Sequence, residues 1–271
     1  MELKLLVLAL ALYLGATAGF VSHLLTGKEA LRRLALVTLT AAFGLDAVAI
    51  IVRSFVYRTL AITSFHDQLS LFACLIVGFY LWLQRRYPLT VLGSLVSPIA
   101  FLFVLSAYVF YSGNREFPHE MHNVWLPAHI APAFLGYAIL TVAFCVSLIY
   151  LLQEKELKKK GKSSLRRRLP SLETLDELNF RFVTWGFTLF TIGIITGSVL
   201  AKERWGAFWS WDPVQLWSLV TWLLYALLVH TRLTGWRGRR AATLTIVGFA
   251  LLLVSFLSVN LLFVGRHSAL G

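Results

Sequence analysis

Four tryptophans stand in the sixteen positions of "KERWGAFWSWDPVQLW", residues 202–217, beside an Asp-Pro pair. Trp205, Trp209 and Trp211 lie too close together for one lipid-facing stripe, and five of the nine tryptophans fall within residues 205–222. Ring faces packed in a loop make an apolar platform suited to stacking. Such a platform fits a large, flat, conjugated ligand, and haem meets that description. An interfacial belt of rings at headgroup level is the structural alternative. Iron in a porphyrin takes axial nitrogen donors, most often imidazole. Seven histidines are available, at positions 23, 66, 119, 122, 129, 230 and 267.

The elements that must position these residues are membrane helices. Charged residues make up 14% of the 271, where a soluble domain carries about a quarter. Long uncharged apolar runs predict an all-α, polytopic membrane protein with eight spans, near 5–26, 34–57, 66–83, 89–111, 129–152, 182–201, 213–231 and 241–264. The first run is too long for a signal-peptide core and lacks a small-residue cleavage site, so it is read as a retained helix. No hydrophilic stretch is long enough for a separate soluble domain, so residues 1–271 are read as one transmembrane domain.

Orientation follows from charge. The connections 27–33, 84–88, 153–181 and 232–240 hold 3, 2, 9 and 4 Lys/Arg, which is 18 of the 25 in the chain. The positive-inside rule places that side in the cytoplasm and both termini outside. The net charge of +12 is therefore a topology signal and needs no nucleic acid. Residues 153–181 form a basic cytoplasmic loop, solvated or anchored at lipid headgroups. The tryptophan-rich loop 202–217 is extracytoplasmic.

At its end Asp212 suits a helix N-cap, Pro213 the first helical position and Gln215 the third, which together make a capping box. His129 opens span 5 at its outer end and His267 follows span 8, also outside. At the depth of the loop, two imidazoles from different helix ends suit one iron from opposite faces. His230 lies seventeen residues beyond Pro213, on the order of 25 Å away, and cannot serve the same iron. It is either an intramembrane functional residue or one that snorkels to the inner interface. His119 and His122, spaced i, i+3, are metal candidates if helical and otherwise solvated loop residues. His23 and His66 carry no specific signal. Asp46 and Arg53 share a face of span 2, as interior charges pairing within the bundle or, for Arg53, at the outer interface.

Several chemistries have no support. Cys74 and Cys145 lie inside spans, and no CxxC or CxxCH occurs, which excludes a thiol oxidoreductase and a c-type cytochrome. The phosphate-binding glycine patterns, HExxH and GxSxG are absent.

The segment "WGAFWSWDP" resembles the W-G-x-x-W-x-W-D-P signature (the WWD domain) of the CcsA-type, or ResC-type, system II cytochrome c biogenesis proteins. The flanks "TIGIITGSVLAKERWG", "LWSLVTWLLYALLVHTR" and "LLFVGRHS" are similar to that family as well. After W-D-P the family carries a Lys-Glu pair, where this chain has Val214 and Gln215.

The resemblance implies that Trp205, Gly206, Trp209, Trp211, Asp212 and Pro213 seat haem b. It makes His129 and His267 the external ligands of its iron and His230 part of an inner haem site. It also implies passage of haem across the membrane and its attachment by thioether bonds to reduced CxxCH cysteines of an apocytochrome c. A CcsB-type (ResB-type) membrane protein is the implied partner, which makes the chain a possible subunit of a holocytochrome c synthase. No catalytic acid or base is nominated. The expected setting is a bacterial cytoplasmic membrane, with the plastid thylakoid membrane as the alternative. The segment "GWRGRRA" at 235–241 is similar to HemX-like relatives. That implies the alternative functions, a membrane regulator of haem synthesis or a haem transporter without ligation activity.

Overall fold

The computed structural model describes residues 2–57, 64–87, 89–111, 124–159 and 168–261, with the side chains of residues 2 and 258–261 left aside. All regular structure among them is helical: α1 (Glu2–Thr26), α2 (Glu29–Tyr57), α3 (Phe65–Arg86), α4 (Thr90–Val109), α5 (Trp125–Lys158), α6 (Leu172–Trp205), α7 (Pro213–Leu233) and α8 (Arg239–Leu261). All eight are long and apolar enough to cross a bilayer. The chain is an all-α, multi-span membrane protein, as its hydropathy predicts. It divides into two units, one of Met1–Arg115 with Gln153–Pro170, the other of Glu116–Leu152 with Ser171–Gly271.

In the first unit α1 buries Ala9, Tyr13, Ala16 and Phe20, and α2 buries Ala35, Leu39, Ala42 and Asp46. The 4-3-4 spacing in both helices is the seam that two neighbouring helices share. Small residues bring the backbones close. A methyl group on Gly19 would sit 2.9 Å from the Cβ of Ala35. The turn between the helices rests on Gly27 at φ +75, whose N–H returns to the carbonyl of His23 at 2.7 Å. Asp46 accepts from Ser70 at 2.5 Å, and Arg53 pairs with Asp67 at 2.8 Å. Both span-2 charges are therefore interior, and each pairs with α3 rather than with the other. Satisfying a buried charge in this way is what makes it tolerable inside a membrane.

In the second unit α5 and α6 meet through glycine. Methyl groups on Gly136, Gly186 and Gly193 would fall within about 3 Å of Phe190, Leu140 and Ala133 respectively. Membrane helices lack a hydrophobic force between them and associate through such close backbone approach. Asn179 of α6 ties three helices, donating to Ser147 of α5 at 2.7 Å and to Thr245 of α8 at 3.2 Å. Trp222 of α7 donates to Thr191 of α6 at 2.9 Å.

α5 and α6, at 34 residues each, outrun their expected spans. Each is roughly 51 Å long against a hydrocarbon core of about 30 Å. Their polar ends reach into 153–181, where hydropathy shows only a loop. Ser171 caps α6 by accepting from the Thr174 N–H at 3.1 Å. Lys158–Glu154 and Arg181–Glu177 pairs support the polar turns.

Candidate functional site

The candidate site is built on residues 125–152 of α5, on α6 and α7, and on the connection 206–212, all within the second unit. α6 ends at Trp205 because Gly206 turns left-handed at φ +77, returning its N–H to Lys202 O at 2.9 Å. A Cβ there would meet nothing within 4 Å, so the glycine is required by its dihedral and not by space. Trp209 and Trp211 pack edge to face at 5.8 Å and 88°. Trp211 is the one non-glycine residue with positive φ among the described residues, at 54°, and it is 73% exposed. Phe208 is 51% exposed, with the Lys202 ammonium 4.4 Å above its ring. A bulky residue held left-handed and turned outward is strained backbone that its surroundings must maintain.

Two side chains maintain it. Asp212 caps α7, accepting from the Val214 N–H at 2.9 Å, and Pro213 takes the first helical position. Gln215 does not close the expected capping box on Asp212. Its Oε1 instead accepts from the Ser210 N–H at 2.7 Å and the Ser210 hydroxyl at 3.2 Å. The left-handed residue between them bends the chain so that Ser210, not Asp212, offers its N–H to Gln215. The loop is thereby stapled to the first turn of α7.

His129 lies on the first turns of α5. Its Nδ1 donates to the carbonyl of Gly193 at 2.7 Å, since a carbonyl oxygen only accepts. The ring fits against α6 because Gly197 has no side chain: a methyl group there would be 2.8 Å from both Cε1 and Nδ1. A histidine whose Nδ1–H is held by a carbonyl keeps its Nε2 lone pair for a ligand, the arrangement that typically orients metal-binding imidazoles. Gly197 precedes Trp205 by eight residues, about 12 Å along the axis. The notch thus sits two turns deeper than the loop.

The other expected positions separate. His230 is exposed in the last turn of α7, with its carbonyl accepting from the Thr234 N–H at 3.0 Å. It is at the far end of α7 from Asp212 and does not join His129. His267, His119 and His122 lie outside the described residues. Sequence reasoning missed three features. Gly193 and Gly197 carry a glycine spacing that signals close packing but names no partner. Asp176 accepts from both terminal nitrogens of Arg232, at 2.7 and 3.0 Å, and from the Gly238 N–H at 2.8 Å. His66, 4% exposed, contacts Ser64 at 3.0 Å, and its Nε2 lies 3.5 Å from Asp67 Oδ1, beside the Arg53–Asp67 pair, with no hydrogen-bond partner among the described residues.

The family model for the cytochrome C assembly protein matches residues 63–267, three-quarters of the chain. The chain belongs to this family. Its curated relatives narrow the membership. The cytochrome c biogenesis protein CcsA of Guillardia theta is 35% identical over 214 residues, covering 69% of each chain. CcsA of Parasynechococcus marenigrum is 33% identical over 234 residues, covering 76% of each. This family member is of the CcsA type, with a role in cytochrome c biogenesis. Among solved structures, the cytochrome c haem lyase CcmF shares the fold, with a TM-score of 0.70 at 16% identity over 100% of this chain. The chain spans 48% of that larger protein.

Proposed function

We propose that this chain carries haem b as cargo to the outer face of the membrane. There it presents the haem beside the tryptophan loop for thioether attachment to the reduced CxxCH cysteines of an apocytochrome c. The observation that carries the proposal is the His129–Gly193 hydrogen bond, which leaves an imidazole Nε2 lone pair in the unit that bears the loop. The names of the relatives, cytochrome c biogenesis protein and cytochrome c haem lyase, support the same chemistry.

Each residue has a task. His129 would supply one nitrogen ligand, its tautomer set by the Gly193 carbonyl, and His267 would supply the other. Trp205, Trp209 and Trp211 would wall the macrocycle, and since Trp209 and Trp211 stand at right angles, one of them would meet it by its face and the other by its edge. Gly206 sets the turn, and Asp212 and Pro213 anchor its far end. With the notch two turns below the loop, the notch and the loop would hold different parts of one large flat ligand. Bound haem supplies the vinyl groups to which thiols add, and the protein's part is to hold them in place, where positioning lowers the barrier. His230 belongs to an inner site that a CcsB-type membrane partner completes. The 18 Lys/Arg on one side support an outer position for the loop and both termini.

The test is spectroscopic. The full chain purified from haem-replete cells is expected to show a Soret band, which shifts in His129→Ala and in His267→Ala. A colourless wild type, or unchanged spectra in both variants, overturns the ligand assignment. Co-expression with a CcsB-type partner and a CxxCH apocytochrome is expected to yield covalent haem, and no product there favours a HemX-like regulator.

A further inference from the structure

The first unit holds a half-open cavity of about 390 Å³ that no part of the proposed haem function uses. Its polar and charged lining includes the His23 imidazole from the end of α1, the charged Glu29 and Arg32 from the start of α2, and Arg168. Leu89 and Val91 supply an apolar wall at the start of α4. The volume lies in the range that small ligands occupy.

The charges in the cavity do not cancel. Glu29 is already bonded to Arg32, with Arg33 at 3.8 Å on the same oxygen. Arg168 has no carboxylate within ion-pair distance among the described residues. One of its terminal nitrogens donates to the last carbonyls of α1, Leu24 at 2.5 Å and His23 at 3.4 Å. That contact fixes the guanidinium at the cavity without neutralising it. His23 is held in turn by the Lys28 carbonyl at 3.0 Å. The result is a preset, net-positive concavity with an apolar wall, at the end of the unit where the connections 27–33 and 84–88 carry their basic residues.

We propose that this cavity binds a phosphate group, and specifically the headgroup of an anionic phospholipid from the adjoining leaflet. A guanidinium fork matches phosphate oxygens in geometry as well as charge. The apolar wall formed by Leu89 and Val91 favours an amphiphile over a free anion, because it gives the glycerol and first methylenes a surface to cover. Basic pockets between helices on the side bearing the positive connections are where such headgroups are held. Lipid here would bridge α1, α2 and α4 at their turns and stiffen the first unit, independently of any haem bound in the second.

The test uses the full chain in a zwitterionic detergent, titrated with phosphatidylglycerol, phosphatidylcholine or inorganic phosphate and read by native mass spectrometry and thermal unfolding. Phosphatidylglycerol is expected to bind and to raise the melting temperature, and phosphatidylcholine is not. Losing one charge-assisted contact is expected to weaken phosphatidylglycerol binding about tenfold or more in Arg168→Gln and in Arg32→Gln. Arg240→Gln, on the exposed face of α8, is the control and is expected to change nothing. Arg168 also caps α1, so Arg32→Gln is the deciding variant if Arg168→Gln does not fold. Displacement of phosphatidylglycerol by millimolar inorganic phosphate assigns the site to the phosphate group itself, and no displacement assigns it to the whole lipid. Equal binding of the two lipids, or equal losses in Arg32→Gln and Arg240→Gln, overturns the proposal.

Discussion

His129 and Gly193 are joined by a hydrogen bond of 2.7 Å that crosses from α5 to α6 and spans 64 residues of sequence. It sets the imidazole tautomer, and the missing side chain of Gly197 gives the ring its room. The orientation of this imidazole is therefore a property of helix packing rather than of the histidine's own neighbours.

Filling the notch is expected to act like removing the histidine. Gly197→Val forces branched carbons into the place of the ring, at a packing cost of about 1–3 kcal/mol. Visible spectra of the haem-loaded variant are expected to match those of His129→Ala, with far-UV circular dichroism unchanged and partial recovery on adding imidazole. A wild-type spectrum in Gly197→Val refutes the notch as the element that holds His129.

Two glycines separate dihedral strain from steric strain. Gly206→Ala is expected to cost about 1 kcal/mol, because φ is +77 but the added methyl meets nothing. Gly206→Asn is expected to cost less, since asparagine tolerates the left-handed region. Gly193→Ala places a methyl 2.9 Å from the Cβ of Ala133 and 3.1 Å from its Cα, so α5 must move. Thermal unfolding in detergent is expected to rank the losses Gly193→Ala, Gly206→Ala, Gly206→Asn.

The staple on the tryptophan loop is open to the same treatment. Gln215→Ala leaves the Ser210 N–H without its acceptor and is expected to cost about 1 kcal/mol. Gln215→Glu keeps the acceptor and adds negative charge to the first turn of α7, where the helix dipole favours it. Acrylamide quenching of tryptophan fluorescence is expected to rise in Gln215→Ala and to stay at the wild-type level in Gln215→Glu. Equal quenching in all three proteins removes Gln215 from the loop's support.

Asp176 and Arg232 form a clamp between the start of α6 and the end of α7, with the Arg232 side chain 5% exposed. Removing Asp176 alone strands a buried guanidinium, at an expected cost of about 3 kcal/mol. The pair Asp176→Ala, Arg232→Leu is expected to be more stable than Asp176→Ala alone, because the double variant buries no unpaired charge. Melting temperatures of the two singles and the double give the coupling directly. A double variant that simply sums the singles rules out a coupled pair.

The spans and the start of α7 were legible in the sequence because their causes are local. Apolar length decides which segments enter a bilayer. An Asp-Pro pair before an apolar run starts a helix wherever that run lies, and Asp212 caps α7 as its residue type dictates. The polar ends of α5 and α6 were not legible. A hydropathy profile sees only apolar length, while those turns rest on Ser171, on Glu–Lys and Glu–Arg pairs and on the Asp176 clamp. Gln215 was placed in a capping box by spacing alone. Its true partner, Ser210, depends on the left-handed backbone of Trp211, which spacing does not encode.

Sequence by itself determined the eight apolar helices seen among the described residues, which connections carry the positive charge, and where the aromatic loop and histidines stand along the chain. Those are matters of composition and of positions counted along one chain. Tertiary structure alone decided that His129 is held by Gly193, that Arg53 answers Asp67 rather than Asp46, and that Asp176 locks Arg232. Each of those contacts joins residues that different helices carry. In a membrane, a buried charge or imidazole must find its partner wherever packing brings one within hydrogen-bond reach.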